Sequence, residues 1–551
     1  MTTLDGVIQE VGVCGPFQGL LVLATYSTIV VSASGMMLMA FGSYNPGWTC
    51  LDDVAVGGNA SSLTGLSTPT PSNSTDRCTQ YKGCQNVSFL PGTSTVVSEW
   101  GLVCDHKWTP SLIFTVQMVG VMLGAYLAGH LGDCAGRKAS LYSMVALHGV
   151  ANLVAVFSPS WEIFAAVRFF VGIGIGGMLT TSYIIPLEFM GQFWRGFVGS
   201  LPTWNIGAAL FSVAVILLKD WRHLHLLNAA FSGLVFLAVF WVPESFRWLA
   251  VHSRDVKAGA VVTKIAKVNK RPLPNLELVT AIAESERRKA LAENSERYTY
   301  LDLFRDTTLR KGTIVMGVVW ASMATVYYGI SFGVQSLSGD FYINFLILSL
   351  MELPAFLFVL PALSFLSRRW ASSLHFCFVS AACFAVTAIA LFLRCDGCDQ
   401  ATDDGNALKE RLIMSLTVLA KVGTIGAWNV ISLYCGELFP TAVRNLSSGY
   451  LNASARIGSM LGPVLFPKDP ALLYLAMAGM GVIMAVCAWI VWLLPETKGA
   501  PLEDTIRSKK HLDLGLPRGE SVSVDDAGGE ALQPVLETNG TNKALIKDQY
   551  V

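Results

Sequence analysis

Gly129-His130-Leu131-Gly132-Asp133-Cys134-Ala135-Gly136-Arg137-Lys138 lies between two long uncharged runs, 109–129 and 139–157. Glycines at 129, 132 and 136 let the chain turn tightly and let neighbouring helices approach closely. Asp133 and Arg137 are placed to pair with each other or with charges at an adjacent helix end. In an ordinary solvated loop such a pair would contribute little; the regular glycine spacing argues for a built connection instead. Each flanking run approaches the ~20 apolar residues that a helix needs to cross a bilayer.

Working outward, further runs of that kind occupy 19–42, 196–218, 223–242, 312–336, 371–393 and 471–494. Runs 161–185, 341–366, 412–434 and 446–466 qualify if each carries one or two polar or charged groups. The total is twelve, the eleventh being the least hydrophobic, and the expected fold class is an all-α membrane protein. Composition agrees. Only 14% of the 551 residues are charged, where a soluble domain has about a quarter. A formal net charge of zero offers nothing to a nucleic acid, so the expected surroundings are the lipid bilayer. No basic stretch, short apolar core and small-residue cleavage site open the chain, so the first run is expected to remain as a helix.

Sidedness follows from Lys and Arg in short loops. Arg137 and Lys138, Arg195, Arg247, Arg368 and Arg369, and Arg444 follow even-numbered runs; Lys219, Arg222, Arg394 and Arg411 are a contrary minority. Even runs are therefore expected to exit into the cytoplasm, as both termini do. The polar segment 43–107 then lies outside, where the sequons at Asn59, Asn73 and Asn86 read as glycosylation sites. Cys50, Cys78, Cys84 and Cys104 in that segment suggest two disulfides with three possible pairings; Cys395 and Cys398 suggest a local one.

The chain repeats itself. Glu188 in Pro186-Leu187-Glu188-Phe189 precedes Arg195 by seven residues, and Glu437 in Gly436-Glu437-Leu438-Phe439-Pro440 precedes Arg444 by seven. Pro243-Glu244-Ser245 ends the sixth run and Pro495-Glu496-Thr497 the twelfth. Two matches in the same order at nearly equal offsets imply two six-helix halves. The expected domains are a cytoplasmic N-terminus (1–18), a first bundle (19–242), a charged cytoplasmic loop (243–311), a second bundle (312–494) and a mostly disordered cytoplasmic tail (495–551).

The 129–138 motif resembles the signature of the major facilitator superfamily, G-x-L-x-D-x-x-G-R-K. Other segments resemble the organic cation, carnitine and organic anion transporters of the solute carrier 22 family. They are Gly15-Pro16-Phe17-Gln18, Pro243-Glu244-Ser245-Phe246-Arg247-Trp248-Leu249, Leu301-Asp302-Leu303-Phe304-Arg305, Tyr327-Tyr328-Gly329 and Gly436-Glu437-Leu438-Phe439-Pro440-Thr441. The likeness spares only the final ~50 residues. Four first-loop cysteines, where many members have six, and Phe246 in place of a usual Pro are departures. The resemblance implies a plasma-membrane transporter whose halves rock about a central site. It implies gating or coupling roles for Asp133, Arg137, Arg168, Glu188, Arg195, Glu437 and Arg444.

Ionisable groups inside spans are functional candidates because hydrocarbon makes them costly. Glu352, Lys421 and Arg456 lie near mid-membrane in the second half. One carboxylate can neutralise only one of two cations, which leaves a positive charge for an anionic substrate group. Tyr183, Trp204, Trp320, Tyr327 and Tyr328 are aromatic candidates for a quaternary ammonium group. No phosphate-binding G-x-x-x-x-G-K-[ST] occurs and no catalytic or metal-binding constellation stands out, so neither an ATP-driven pump nor an enzyme is expected. The residues call for no cofactor, and they do not tell whether Na⁺ or H⁺ is coupled. In the resembling family an Arg at 456 fits carnitine and anion carriers, and Glu352 fits cation and carnitine carriers. The expected partner is thus a small organic ion, a zwitterion such as carnitine or a quaternary ammonium cation. An organic anion carrier and a non-transporting receptor or scaffold are the competing readings.

Overall fold

A computed structural model describes residues 4–50, 74–89, 91–191, 194, 198, 201–273, 275–293, 299–305, 307–334, 337, 339–354, 365–392, 403–440, 443–465 and 473–498. Twelve helices correspond to the twelve apolar runs. In the first half they are α1 (Pro16–Gly42), α2 (Thr109–Cys134), α3 (Arg137–Val156), α4 (Trp161–Glu188), α5 (Thr203–Leu218) and α6 (Trp221–Phe236). In the second they are α7 (Thr307–Gly333), α8 (Phe341–Leu350), α9 (Arg368–Phe392), α10 (Asp403–Leu438), α11 (Arg444–Leu465) and α12 (Leu473–Ile490). Among the described residues nine of these are long and apolar enough to cross a membrane; α5 and α8 are shorter apolar helices. α11 is long enough, but Asn445, Ser447, Ser448, Asn452, Ser454, Arg456 and Ser459 make it polar.

Local chemistry sets the helix ends. Pro16 starts α1 where its missing N–H costs nothing, and the Gln18 side chain accepts the Gly15 N–H at 3.1 Å. The Asp220 carboxylate accepts the N–H groups of Arg222 and His223 at the start of α6. Asp340 does the same for Tyr342 and Ile343 at the start of α8. Each satisfies backbone donors that a helix leaves unpaired.

The packing has a two-fold repeat. In the first half α2 lies on α4, α3 on α4 and α6, and α1 on α4, α5 and α6. The second half repeats it: α8 on α10, α9 on α10 and α12, and α7 on α10, α11 and α12. The halves meet through α2 against α11 and α5 against α8, which the same two-fold exchanges. Glycine makes the tightest approach possible: a Cβ at Gly124 would strike the Ile173 carbonyl, and one at Gly176 the Val121 carbonyl.

At one end the halves are joined by Tyr44 stacked on Phe341 (centroids 4.2 Å apart), the Thr93 and Tyr342 hydroxyls at 2.6 Å, and Lys219 Nζ 5.1 Å from the Tyr342 ring. The first loop sits there. Its strands β1 (Trp48–Cys50) and β2 (Val87–Phe89) pair antiparallel, and disulfides join Cys50 to Cys84 and Cys78 to Cys104. At the opposite end Leu4–Val11, Asp255–Val268 and Leu276–Glu293 are helices packed on one another. Asn269 ties them to α1, with Nδ2 donating to Val11 O and Gln18 Oε1 and Oδ1 accepting the Phe17 N–H.

Three spans differ most from their sequence-based limits. The eighth, expected as one helix over 341–366, stops at Leu350 and turns through 351–354. Pro354 disfavours helix in the residue before it and supplies no N–H. The fifth, expected from 196, begins at Thr203 behind Pro202. The tenth exceeds 412–434 at both ends, because a helix can continue with polar residues once it leaves hydrocarbon. Asn59, Asn73, Arg195, Cys395, Cys398 and the tail beyond Lys498 lie outside the described residues, as does the Arg444 side chain.

Candidate functional site

The break in α8 carries Glu352 into the space between the halves. Its side chain is buried, and Lys421 Nζ from α10 lies 2.9 Å from Oε1. The Tyr327 hydroxyl of α7 donates to the same carboxylate at 3.1 and 3.3 Å, while its ring lies 5.2 Å from Lys421 Nζ. From the first half, Trp204 Nε1 donates to the Tyr327 hydroxyl at 3.1 Å and Asn205 Nδ2 to the Glu352 carbonyl at 3.1 Å. One ion pair thus gathers α5, α7, α8 and α10, and both halves hold it.

Arg456 is not part of that pair. It projects from α11, half-buried, beside the Tyr328 hydroxyl, and has no carboxylate partner among the described residues. Tyr328 packs edge-on against Tyr327 at 5.1 Å and meets Phe114 of α2 at 5.6 Å. The arrangement is a neutralised pair, an uncompensated guanidinium and an aromatic wall between them. It can take an anionic group at Arg456 and an apolar or cationic group along the rings. The Tyr183 ring packs 5.7 Å from Tyr26, in a first-half cluster whose edge includes Trp204. Trp320 packs on Trp428 and donates to Cys435 Sγ.

The other charged residues form two matching clusters at the helix ends. Arg137 Nη1 lies 2.5 Å from Asp133 Oδ1, and its Nε 3.5 Å from Glu188 Oε1. Glu244 Oε1 accepts the Lys138 N–H, capping α3. In the second half Arg368 meets Glu437 through Nε and Nη2 (3.0 and 2.8 Å), and Glu496 accepts the Arg368 and Arg369 N–H groups, capping α9. Thr497 Oγ1 donates to Glu437 Oε2 at 2.7 Å. Burial alone would raise the Glu496 pKa, but the N–H groups of Arg368, Lys498 and Arg369 hold it below the usual carboxylate range.

Arg168 joins neither cluster. It is fully buried in the first bundle, donating to Gly35 O at 2.9 Å and to Gln117 Oε1.

The residue-type reading passed over Gln117, Asn205 and the roles of Arg368, Glu244 and Glu496. The repeat held a signal for three of them. Arg368 opens α9 as Arg137 opens α3, and Glu496 ends the twelfth span as Glu244 ends the sixth. Gln117 and Asn205 are single amides in apolar helices, and nothing local marks them.

Two pseudo-symmetric six-helix bundles around a polar midplane define a membrane transporter of the major facilitator type. The chain belongs to the family described as "Sugar (and other) transporter", whose model matches residues 36–507. Among curated relatives, the human "Organic cation/carnitine transporter 2" is 29% identical over 75% of this chain and 71% of its own. The Drosophila melanogaster "Beta-alanine transporter" is 28% identical over 77% and 67%. Among solved structures, the inward open xylose transporter XylE from E. coli matches 88% of this chain and 98% of its own, at 15% identity and a TM-score of 0.59.

Proposed function

We propose that the chain moves small organic ions bearing both a cationic nitrogen and a carboxylate, or quaternary ammonium cations, across the plasma membrane by alternating access. The observation that carries this reading is the spare guanidinium. Glu352 is committed to Lys421 at 2.9 Å, so the charge of Arg456 awaits a substrate carboxylate. Guanidinium suits that task because its planar fork binds two oxygens at once. Tyr327, Tyr328 and Trp204 offer ring faces to the cationic end, with Glu352 behind them. Two relatives support the choice: carnitine and β-alanine, in whose names they appear, each combine a carboxylate with a positively charged nitrogen.

In this reading the Arg137 and Arg368 clusters hold the cytoplasmic ends of the halves, and switching between states biases their pairing. Both termini lie in the cytoplasm, loop 43–107 is exterior, and neither cofactor nor chemical catalysis is needed. The test is uptake in cells expressing the chain, using labelled carnitine, tetraethylammonium and an aromatic carboxylate. Carnitine, with or without tetraethylammonium, is expected to accumulate. Accumulation of the carboxylate alone would make this an anion carrier, and no uptake of any would favour a receptor.

A further inference from the structure

A second charge in the molecule lacks a counter-charge, on α4 in the first half. Among the described residues the buried Asp, Glu, Lys and Arg side chains are Arg168, Glu352 and Lys421. The last two neutralise each other. Arg168 has only the Gly35 carbonyl and the Gln117 amide oxygen, both bound through Nη2; its Nε and Nη1 have no hydrogen-bond partner. A guanidinium does not give up its charge, and leaving one uncompensated in a low-dielectric interior is strongly unfavourable.

The surroundings are polar but uncharged. His148 Nδ1 lies 2.9 Å from Ser232 Oγ, Asn152 Nδ2 lies 3.1 Å from His148 Nε2, and His225 Nδ1 lies 2.8 Å from Asn152 Oδ1. Imidazoles and amides can offer lone pairs to Arg168, but no negative charge. The face of α6 turned toward α4 carries further unused donors. Trp221 and His225 pack on Phe164 at 5.1 and 5.4 Å, so α6 and α4 are in contact at that level. One turn deeper on each helix stand Arg168 and Asn228, and Asn228 Nδ2 and Trp221 Nε1 are buried without acceptors. A water molecule could satisfy such donors. Only an anion satisfies them and the charge together.

We propose that the first bundle binds a small monovalent anion, with chloride as the physiological case, against Arg168 Nε and Nη1 between α4 and α6, with Asn228 Nδ2 as an additional donor. The ion is a structural counter-charge, independent of whatever occupies the site at Arg456.

The test uses full-length protein in nanodiscs, its thermal unfolding midpoint followed as chloride replaces gluconate at constant ionic strength. Wild type should be stabilised saturably by chloride and by bromide. Gln117→Glu places a fixed carboxylate on the Arg168 guanidinium; that variant should hold its midpoint in gluconate and gain nothing from chloride. Asn228→Ala removes one charge-assisted donor and should raise the half-saturating chloride concentration about tenfold. Equal wild-type midpoints in chloride and gluconate would mean that water suffices and would overturn the proposal. A chloride response that survives unchanged in Gln117→Glu would locate the ion elsewhere, Arg456 included, and would overturn it equally. Neither variant removes Arg168 itself, so failure of an Arg168 variant to fold leaves the test intact.

Discussion

Replacing Lys421 by Met should damage the fold far more than replacing Lys421 and Glu352 together. The pair is 2.9 Å apart with both side chains almost wholly buried. Two unit charges at that distance attract by about 6 kcal/mol at an effective dielectric constant near 20. Withdrawing them from water costs several kcal/mol per ion, so the intact pair comes close to breaking even. The single variant keeps the cost of burying Glu352 and loses the attraction. The Tyr327 hydroxyl at 3.1 and 3.3 Å still donates, but a neutral donor does not cancel the charge. The expected loss is about 3–5 kcal/mol for Lys421→Met or Lys421→Ala. The double variant Lys421→Met with Glu352→Gln should recover most of it, giving a coupling energy of about 2 kcal/mol or more. The assay is thermal and denaturant unfolding of the four purified proteins in nanodiscs, with uptake measured in parallel. Strict additivity of the single changes would refute the claim that the pair is one energetic unit. Wild-type uptake by the double variant would reduce Glu352 to a fixer of helix register.

Arg456→Lys should keep charge, lose the two-oxygen fork and weaken uptake of carboxylate-bearing substrates; Arg456→Asp should abolish it while sparing a simple cation, as uptake normalised to surface protein will tell. If Arg456→Asp moves carnitine as well as wild type does, the residue is structural. Asp133→Asn, Arg137→Ala and Arg368→Ala should reach the surface and turn over more slowly; normal rates in all three would return these clusters to the status of solvated helix ends. Glycosidase should shift the gel band, and triple replacement of Asn59, Asn73 and Asn86 should remove the shift, whereas a glycan on the tail sequon Asn539-Gly540-Thr541 would invert the topology. Glu496 has a lowered folded-state pKa, so its contribution is fully present above the unfolded value of about 4.3 and is lost as pH falls through the folded one. Glu496→Gln should therefore lower the thermal midpoint at pH 7 and approach wild type below about pH 4; an equal deficit at both pH values would deny that the carboxylate charge matters.

The sequence by itself determined the architecture: twelve helices, two related halves, a transporter family. A bilayer forces every backbone polar group to be satisfied within its own segment. Each span is therefore dictated by some twenty consecutive residues, which a linear reading can see. The same locality made the charges at 352, 421 and 456 conspicuous, since any ionisable group in such a run stands out. The tertiary structure alone decided who meets whom. Glu352 could have neutralised Lys421 or Arg456, and the break at Leu350 with the approach of α10 chose Lys421. Three disulfide pairings were open, and the β1–β2 register, with Cys50 opposite Val87, belongs to the one that joins Cys50 to Cys84. Glu188 and Glu437 each precede an Arg by seven residues in sequence, yet the partners observed for them are Arg137 and Arg368, on other helices. The motif around Arg168 marks it as a gating candidate, and the groups it meets, Gly35 and Gln117, are 133 and 51 residues away in the chain. Partner choice depends on distances of a few ångströms between segments far apart in the chain, and those distances exist only once the helices have packed.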